Sequence, residues 1–272
     1  MFIPAVHHFQ IDQKNRLRAL RWGNGERVVI AIHGYSRTAE TFSPLGQNLP
    51  PDVTLYAVDL PFHGPERWQG ESFTPNDLME AVHQILDREQ TDNYYLIGFS
   101  LGARVCWNLI QRVRVLPVRL LALAPDGLNT RVLSRVSGVP RWLNRVVNKL
   151  VENPERMRER LLRWERRGLP VQFIRGFVEY GIQNPRMRHL FYGVGRSLPD
   201  LRVRKGKLKR FLQRTGLEVR FLFGSHDPVI PSTAADFLRD LPNVSIKIVE
   251  ANHRLVTHGR ATLIWRELLL ND

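Results

Sequence analysis

Gly98-Phe99-Ser100-Leu101-Gly102 sets a serine between two glycines. A serine on a sharp turn between a strand and a helix holds its hydroxyl clear of the backbone, where it can attack an acyl carbon. Leu101 opens the helix that follows, so its backbone N–H faces the serine and can stabilise the oxyanion of a tetrahedral intermediate. A serine hydroxyl attacks poorly without a base to take its proton. His253, in Ala251-Asn252-His253, is the candidate base, and Asp227, in Gly224-Ser225-His226-Asp227-Pro228, is the carboxylate that would orient it. The chain order serine, acid, histidine is the one expected when the serine sits at such a strand-to-helix turn. His226 precedes the acid and His258 falls inside an expected last helix, so His253 is preferred. Asp126 is a reserve acid. His33-Gly34-Tyr35 offers the Tyr35 N–H as a second oxyanion donor, with Gly34 letting the backbone approach the reacting atoms. His33 and His63 are candidate substrate contacts, although the loop that carries His63 also reads as structural. Cys106 reads as core.

These residues need a scaffold that brings them together. Apolar, β-branched runs predict strands over Arg27–Ile32, Val53–Asp59, Tyr94–Phe99, Arg119–Ala124, Glu218–Phe223 and Val244–Glu250. Helical patterns alternate with them: one capped by Thr74 with Pro75 in its first turn, then Leu101–Val113, Pro231–Leu241 and Thr257–Leu270. Strand–helix alternation at this spacing implies a mostly parallel sheet covered on both faces. Ser100, Asp227 and His253 each follow a strand, so all three fall at the carboxyl edge, where open α/β sheets bind ligands. The segment from Val6 to Trp22 reads as an antiparallel hairpin at the edge of the sheet.

The alternation stops between about Leu128 and Lys205, where helical patterns take over. Trp142, Leu143, Val146, Val147, Leu150 and Val151 recur at helical spacing. Asn153 and Pro154 start a second helix carrying Met157, Leu161, Leu162 and Trp164, and Pro170 starts a third. The chain therefore divides into a core over 1–127, a helical cap insertion over 128–205 and the rest of the core over 206–272.

Together these motifs resemble the α/β-hydrolase superfamily over essentially the whole chain. The resemblance implies an eight-stranded sheet, an inserted helical cap and no cofactor. It also implies attack by Ser100 after His253 removes its proton, with Asp227 fixing the imidazole, followed by an acyl-enzyme that water releases. The expected activity is that of a carboxylesterase, lipase or thioesterase. Relatives of this fold with aspartate at the elbow, such as haloalkane dehalogenases and epoxide hydrolases, differ at Ser100. Arg104, in Ser100-Leu101-Gly102-Ala103-Arg104, is similar to the elbow of 2-succinyl-6-hydroxy-2,4-cyclohexadiene-1-carboxylate synthase, which implies a lyase alternative with Arg104 at the substrate. The loop from Val58 to Gly64 is similar too, with Phe62 where many relatives carry glycine.

Composition narrows the remaining classes. One cysteine excludes an intramolecular disulfide and a cysteine-based zinc site. No run approaches the roughly 20 apolar residues of a membrane span. The first residues lack the basic start and apolar run of a secretory signal, which points to the cytoplasm. No histidine–carboxylate cluster demands a metal, and no phosphate-binding glycine loop is present. The net charge of +14 is concentrated between Arg131 and Arg214, where 22 Lys and Arg face 6 Asp and Glu. Three readings of that charge stand: a solvated helical face, a basic surface bearing Trp142 and Trp164 that meets anionic membrane, or steering of an anionic acyl substrate. Nucleic acid is disfavoured as a partner because no reading motif accompanies the charge. A non-catalytic binding protein on the same fold is the last alternative, and the undamaged triad weighs against it.

Overall fold

The computed structural model describes residues 3–128, 154–167 and 184–270. The helix expected over 142–151 and the one expected to begin at Pro170 lie outside them.

Eight strands form one sheet: β1 (Ala5–Gln10), β2 (Arg16–Trp22), β3 (Arg27–Ile32), β4 (Val53–Val58), β5 (Tyr94–Phe99), β6 (Arg119–Leu123), β7 (Glu218–Gly224) and β8 (Val244–Val249). Their order is β1-β2-β4-β3-β5-β6-β7-β8. β1 and β2 form the antiparallel hairpin, and β2 runs antiparallel to β4. Every other neighbouring pair is parallel. β3 reads Val28-Val29-Ile30-Ala31-Ile32 without a polar break because both of its faces are covered, and all five residues are buried.

The covering layers come from α1 (Ser43–Gln47), α2 (Pro75–Arg88), α3 (Leu101–Leu109) and α7 (Ala261–Leu269). α2 packs against α3, and α7 packs against α1, with the Trp265 indole N–H donating to the Leu45 carbonyl at 3.3 Å. α2 starts where Thr74 and Pro75 place it: the Thr74 N–H donates to the Asp77 carboxylate at 2.6 Å. Its apolar stripe Leu78, Val82, Ile85 and Leu86 is buried. Between β6 and β7 lie α4 (Pro154–Glu165), α5 (Pro185–Ser197) and α6 (Lys205–Thr215). α6 was not legible as a separate helix; Leu208 and Leu212 form its buried stripe and Gly216 ends it in the left-handed conformation.

Three helix expectations change in detail. Pro231–Leu241 folds as 3-10 turns over Ser232–Leu238, a short connection whose threefold period aligns the buried Ala235 and Leu238. Thr257–Leu270 begins as a 3-10 turn over His258–Arg260, with Gly259 weakening α-helix there, and becomes α-helical only at Ala261. His258 therefore sits ahead of the last helix. The elbow helix α3 stops at Leu109, short of the β-branched Val113.

The strand order positions the site. The chain passes from β3 outward to β4, then crosses back over β3 to β5. The crevice at this reversal opens between the carboxyl ends of β3 and β5. Positive φ angles concentrate along the same edge. Ser36, Phe62, Ser100 and Ala124 follow β3, β4, β5 and β6 respectively, with φ of 54°, 72°, 53° and 41°. Such backbone costs an L-residue about 1–3 kcal/mol and persists only where the surroundings hold it.

Candidate active site

Ser100 occupies the elbow with φ 53° and ψ −114°. Four backbone hydrogen bonds hold it there. Its N–H donates to the Leu123 carbonyl at 2.9 Å, and its own carbonyl accepts from the N–H groups of Ala103, Arg104 and Asp126 at 3.0, 3.3 and 3.1 Å. The flanking glycines are required by close approach. A Cβ on Gly98 would meet the Ala103 Cα at 2.5 Å, and one on Gly102 would meet the Ile32 carbonyl oxygen at 2.0 Å. The motif is thus a packing solution in which α3 starts hard against β3 and β5.

The structure brings the three expected side chains together. His253 Nε2 lies 3.2 Å from Ser100 Oγ, and His253 Nδ1 lies 2.7 Å from Asp227 Oδ2. An ionised carboxylate only accepts, so Nδ1 carries the proton and donates it to Asp227. Nε2 then presents a lone pair that accepts from the Ser100 hydroxyl. Asp227 is fixed from its other oxygen, Oδ1, which accepts the N–H groups of Val229 and Ile230 at 2.7 and 2.9 Å. Burial pushes the Asp227 carboxyl up, but the hydrogen bonds from His253, Ile230 and Val229 outweigh it and hold the group below its ordinary value. The Phe99 ring packs on the imidazole with centroids 5.3 Å apart. Its contact with His253 was not foreseen, because sequence spacing gives no sign that the variable position of the motif faces the base.

The loop after β3 runs beside the nucleophile. A Cβ on Gly34 would lie 3.1 Å from the Ser100 Cβ, so a side chain there would crowd the nucleophile. Tyr35 follows directly, and Leu101 is the first residue of α3, where an N–H has no carbonyl to bond within the helix.

His33 and His63, the candidate substrate contacts, are both buried. His33 Nε2 accepts from the Leu60 N–H at 2.9 Å, which leaves Nδ1 as the protonated nitrogen, donating to the Gly34 carbonyl at 2.8 Å. Both ring nitrogens thus brace the loops after β3 and β4. Burial lowers His33 to about 4 and His63 to about 3, so both are neutral at ordinary pH. His63 Nδ1 lies 2.9 Å from the Pro61 carbonyl, and its ring packs edge-on against Tyr35. A histidine next to glycine at a strand end gives no sign of which way the ring turns, and here both turn inward. Asp59, at the end of β4, was also overlooked. Its carboxylate accepts from Arg18 Nε and from the Ala39 N–H, both at 2.6 Å, pinning the far side of the same loop.

Arg104 and the reserve acid Asp126 engage each other. The Arg104 guanidinium donates through Nη2 to Asp126 Oδ1 at 3.0 Å, and Asp126 Oδ1 also accepts the Gly127 N–H at 2.6 Å. Arg104 and Gly127 line a cavity of about 270 Å³ with Leu198, Arg202 and Val203. Among the described residues no group of three or more His, Cys, Asp or Glu side chains is placed to hold a metal ion. None of the described helices is long and apolar enough to cross a membrane.

Sheet, strand-end loops and elbow together define the class, and comparison with known proteins agrees. Residues 29–263 match the model of the alpha/beta hydrolase family, and the chain belongs to that family. An esterase of Mycobacterium tuberculosis is 29% identical over 136 residues, which are 50% of this chain and 40% of that protein. The pimeloyl-acyl-carrier-protein methyl ester esterase of Xylella fastidiosa is 39% identical over 80 residues, 29% of each chain. The chain thus spans less than half the length of these curated relatives. Among solved structures, a bromoperoxidase from Bacillus anthracis superposes with a TM-score of 0.65 at 14% identity, over 95% of this chain and 96% of that one. A thermophilic esterase from Thermogutta terrifontis gives 0.64 at 14% identity, over 96% and 95%. At this identity the two structures share the fold.

Proposed function

We propose that the protein is a serine hydrolase that cleaves a carboxylic ester or thioester through an acyl-enzyme on Ser100. The hydrogen-bonded line from Ser100 Oγ to His253 Nε2 and from His253 Nδ1 to Asp227 carries this reading. Ser100 Oγ attacks the acyl carbon as its proton passes to Nε2. The new C–O bond leaves a tetrahedral oxyanion, for which the Tyr35 and Leu101 N–H groups are the donors. The imidazolium, stabilised by Asp227, then protonates the leaving alcohol or thiol as its bond to the acyl carbon breaks. Water, deprotonated by His253, attacks the acyl-enzyme in turn and returns Ser100 with its proton. The esterases among the relatives support an ester substrate for this chain. The substrate is a small acyl compound, anionic or lipid-like in keeping with the local excess of Lys and Arg between β6 and β7.

A fluorophosphonate probe tests the reading. Intact-mass and peptide analysis should find one phosphonyl group on Ser100, absent in Ser100→Ala. The same variant should lose on the order of 10⁴–10⁶ in turnover of p-nitrophenyl esters or acyl-CoA thioesters. Full activity in Ser100→Ala would end the proposal.

A further inference from the structure

The turn Leu60-Pro61-Phe62-His63 after β4 touches two parts of the molecule at once. On one side it grips the loop that runs beside Ser100. The Leu60 N–H donates to His33 Nε2 at 2.9 Å, and the His63 ring packs edge-on against Tyr35 and His33 with centroids 5.9 and 5.1 Å away. On the other side Phe62 grips α5. Its ring lies against Gly193 so closely that a Cβ there would come within 2.4 Å of three ring carbons. His189, one turn earlier on α5, packs edge-on against the same ring at 5.0 Å. Trp68 and Phe73 close around it at 6.4 and 6.3 Å. The end of α5 is tied down as well: the Phe73 N–H donates to Ser197 Oγ at 2.8 Å, and the Ser197 hydroxyl donates to the Gly193 carbonyl at 2.6 Å.

Phe62 holds φ 72° to reach this position. A backbone in that narrow well, with a buried ring clamped on all sides, has little room to absorb a shift of α5 by itself. A displacement of Phe62 would bear on Leu60 and His63 in the same turn, and through their contacts on His33 and Tyr35. We infer that this turn couples the seating of α5 to the alignment of the Tyr35 amide, with Phe62 and Gly193 as the positioning pair. The inference rests on the serine-hydrolase reading, in which that amide is an oxyanion donor. It gives α5, which supplies none of the reacting groups, control over turnover.

A double-mutant cycle tests it with p-nitrophenyl acetate, p-nitrophenyl octanoate and the fluorophosphonate probe. Gly193→Ala pushes a methyl group into the ring. It should lower kcat on both esters and the labelling rate at Ser100 by about 10-fold, on the scale of small misplacements of reacting groups, while thermal unfolding still shows a folded protein. In a Phe62→Gly background the ring is gone and glycine accepts the positive φ, so the same substitution should change kcat by less than about twofold. A Gly193→Ala enzyme altered only in KM for the octanoate, or the same 10-fold loss with and without Phe62, would overturn the coupling. So would a double variant that fails to fold although Phe62→Gly alone does. Absence of labelling in the unaltered protein would instead remove the serine-hydrolase reading itself.

Discussion

The backbone N–H of Asp126 donates to the carbonyl of Ser100 at 3.1 Å, so the turn after β6 braces the strained residue at the end of β5. The N–H groups of Ala103 and Arg104 reach the same oxygen. Strain in the elbow is therefore held by backbone from two directions, and it depends on α3 lying close to β3. Gly102→Ala tests that dependence. The added methyl group would sit 2.0 Å from the Ile32 carbonyl oxygen, so helix or strand must move. A loss of about 1–3 kcal/mol in stability is expected from overpacking. Fluorophosphonate labelling of Ser100 should fall with it, read against the denaturant midpoint. Undiminished labelling would show that the elbow tolerates a displaced helix.

Asp227→Asn separates charge from shape. The amide oxygen can still accept from Val229 and Ile230, so the loop should keep its form. The amide NH₂ then faces His253 Nδ1 and favours the tautomer with its proton on Nε2. That nitrogen can no longer accept from Ser100. A fall of about 10⁴-fold in kcat is expected at neutral pH with little change in unfolding temperature. Steady-state kinetics and a thermal melt decide it; a loss under tenfold would place the orienting acid elsewhere.

Two buried neutral histidines predict acid sensitivity. His33 and His63 titrate in the folded protein at about 4 and about 3, against 6.5 in an unfolded chain. Between those limits the unfolded chain binds more protons than the folded one, so stability falls as pH drops from 6.5 toward 4. It is fully present above the unfolded value. The denaturant midpoint should follow that slope, and His33→Gln should reduce it by about one proton's worth. An unchanged slope in the variant would mean that His33 is not buried as a neutral ring.

Arg119 and Arg220 sit in adjacent central strands and share Glu218 at 2.6 and 2.8 Å. The Arg119 guanidinium also donates to the carbonyls of Leu268 and Leu270 at 2.6 and 2.9 Å, fastening the end of α7 to the sheet. Arg119→Met leaves those carbonyls and part of Glu218 without their donor. A stability loss of about 1–3 kcal/mol is expected from the carbonyls left unsatisfied. Chemical denaturation measures it, and a change below about 1 kcal/mol would mean that the end of α7 is held by packing instead.

Residues whose spacing carries the fold could be read directly. The largely apolar runs that became β3 to β6 are buried along their length because these strands are covered on both faces, so their positions are local facts. The positions of Ser100, Asp227 and His253 were legible because each stands within four residues of a strand's end. Side-chain direction was not. Whether His33 faces solvent or the interior is decided by the Leu60 N–H and the Gly34 carbonyl, and the first of these lies 27 residues away in the chain. Asp126 took a role that depends on β5 and β6 being neighbours, and Phe99 one that depends on the loop after β8 reaching the end of β5, which no single segment encodes. The 3-10 turns of Ser232–Leu238 escaped notice because an apolar stripe over two turns suits either helix.

The chain reaches Ser100 well before it reaches Asp227 and His253, and the last two stand past β7 and β8 at the far side of the sheet order. Under the proposed mechanism a chain without β7 and β8 would hold the nucleophile but neither its base nor the acid, so the site is completed only by the last two strands of the sheet.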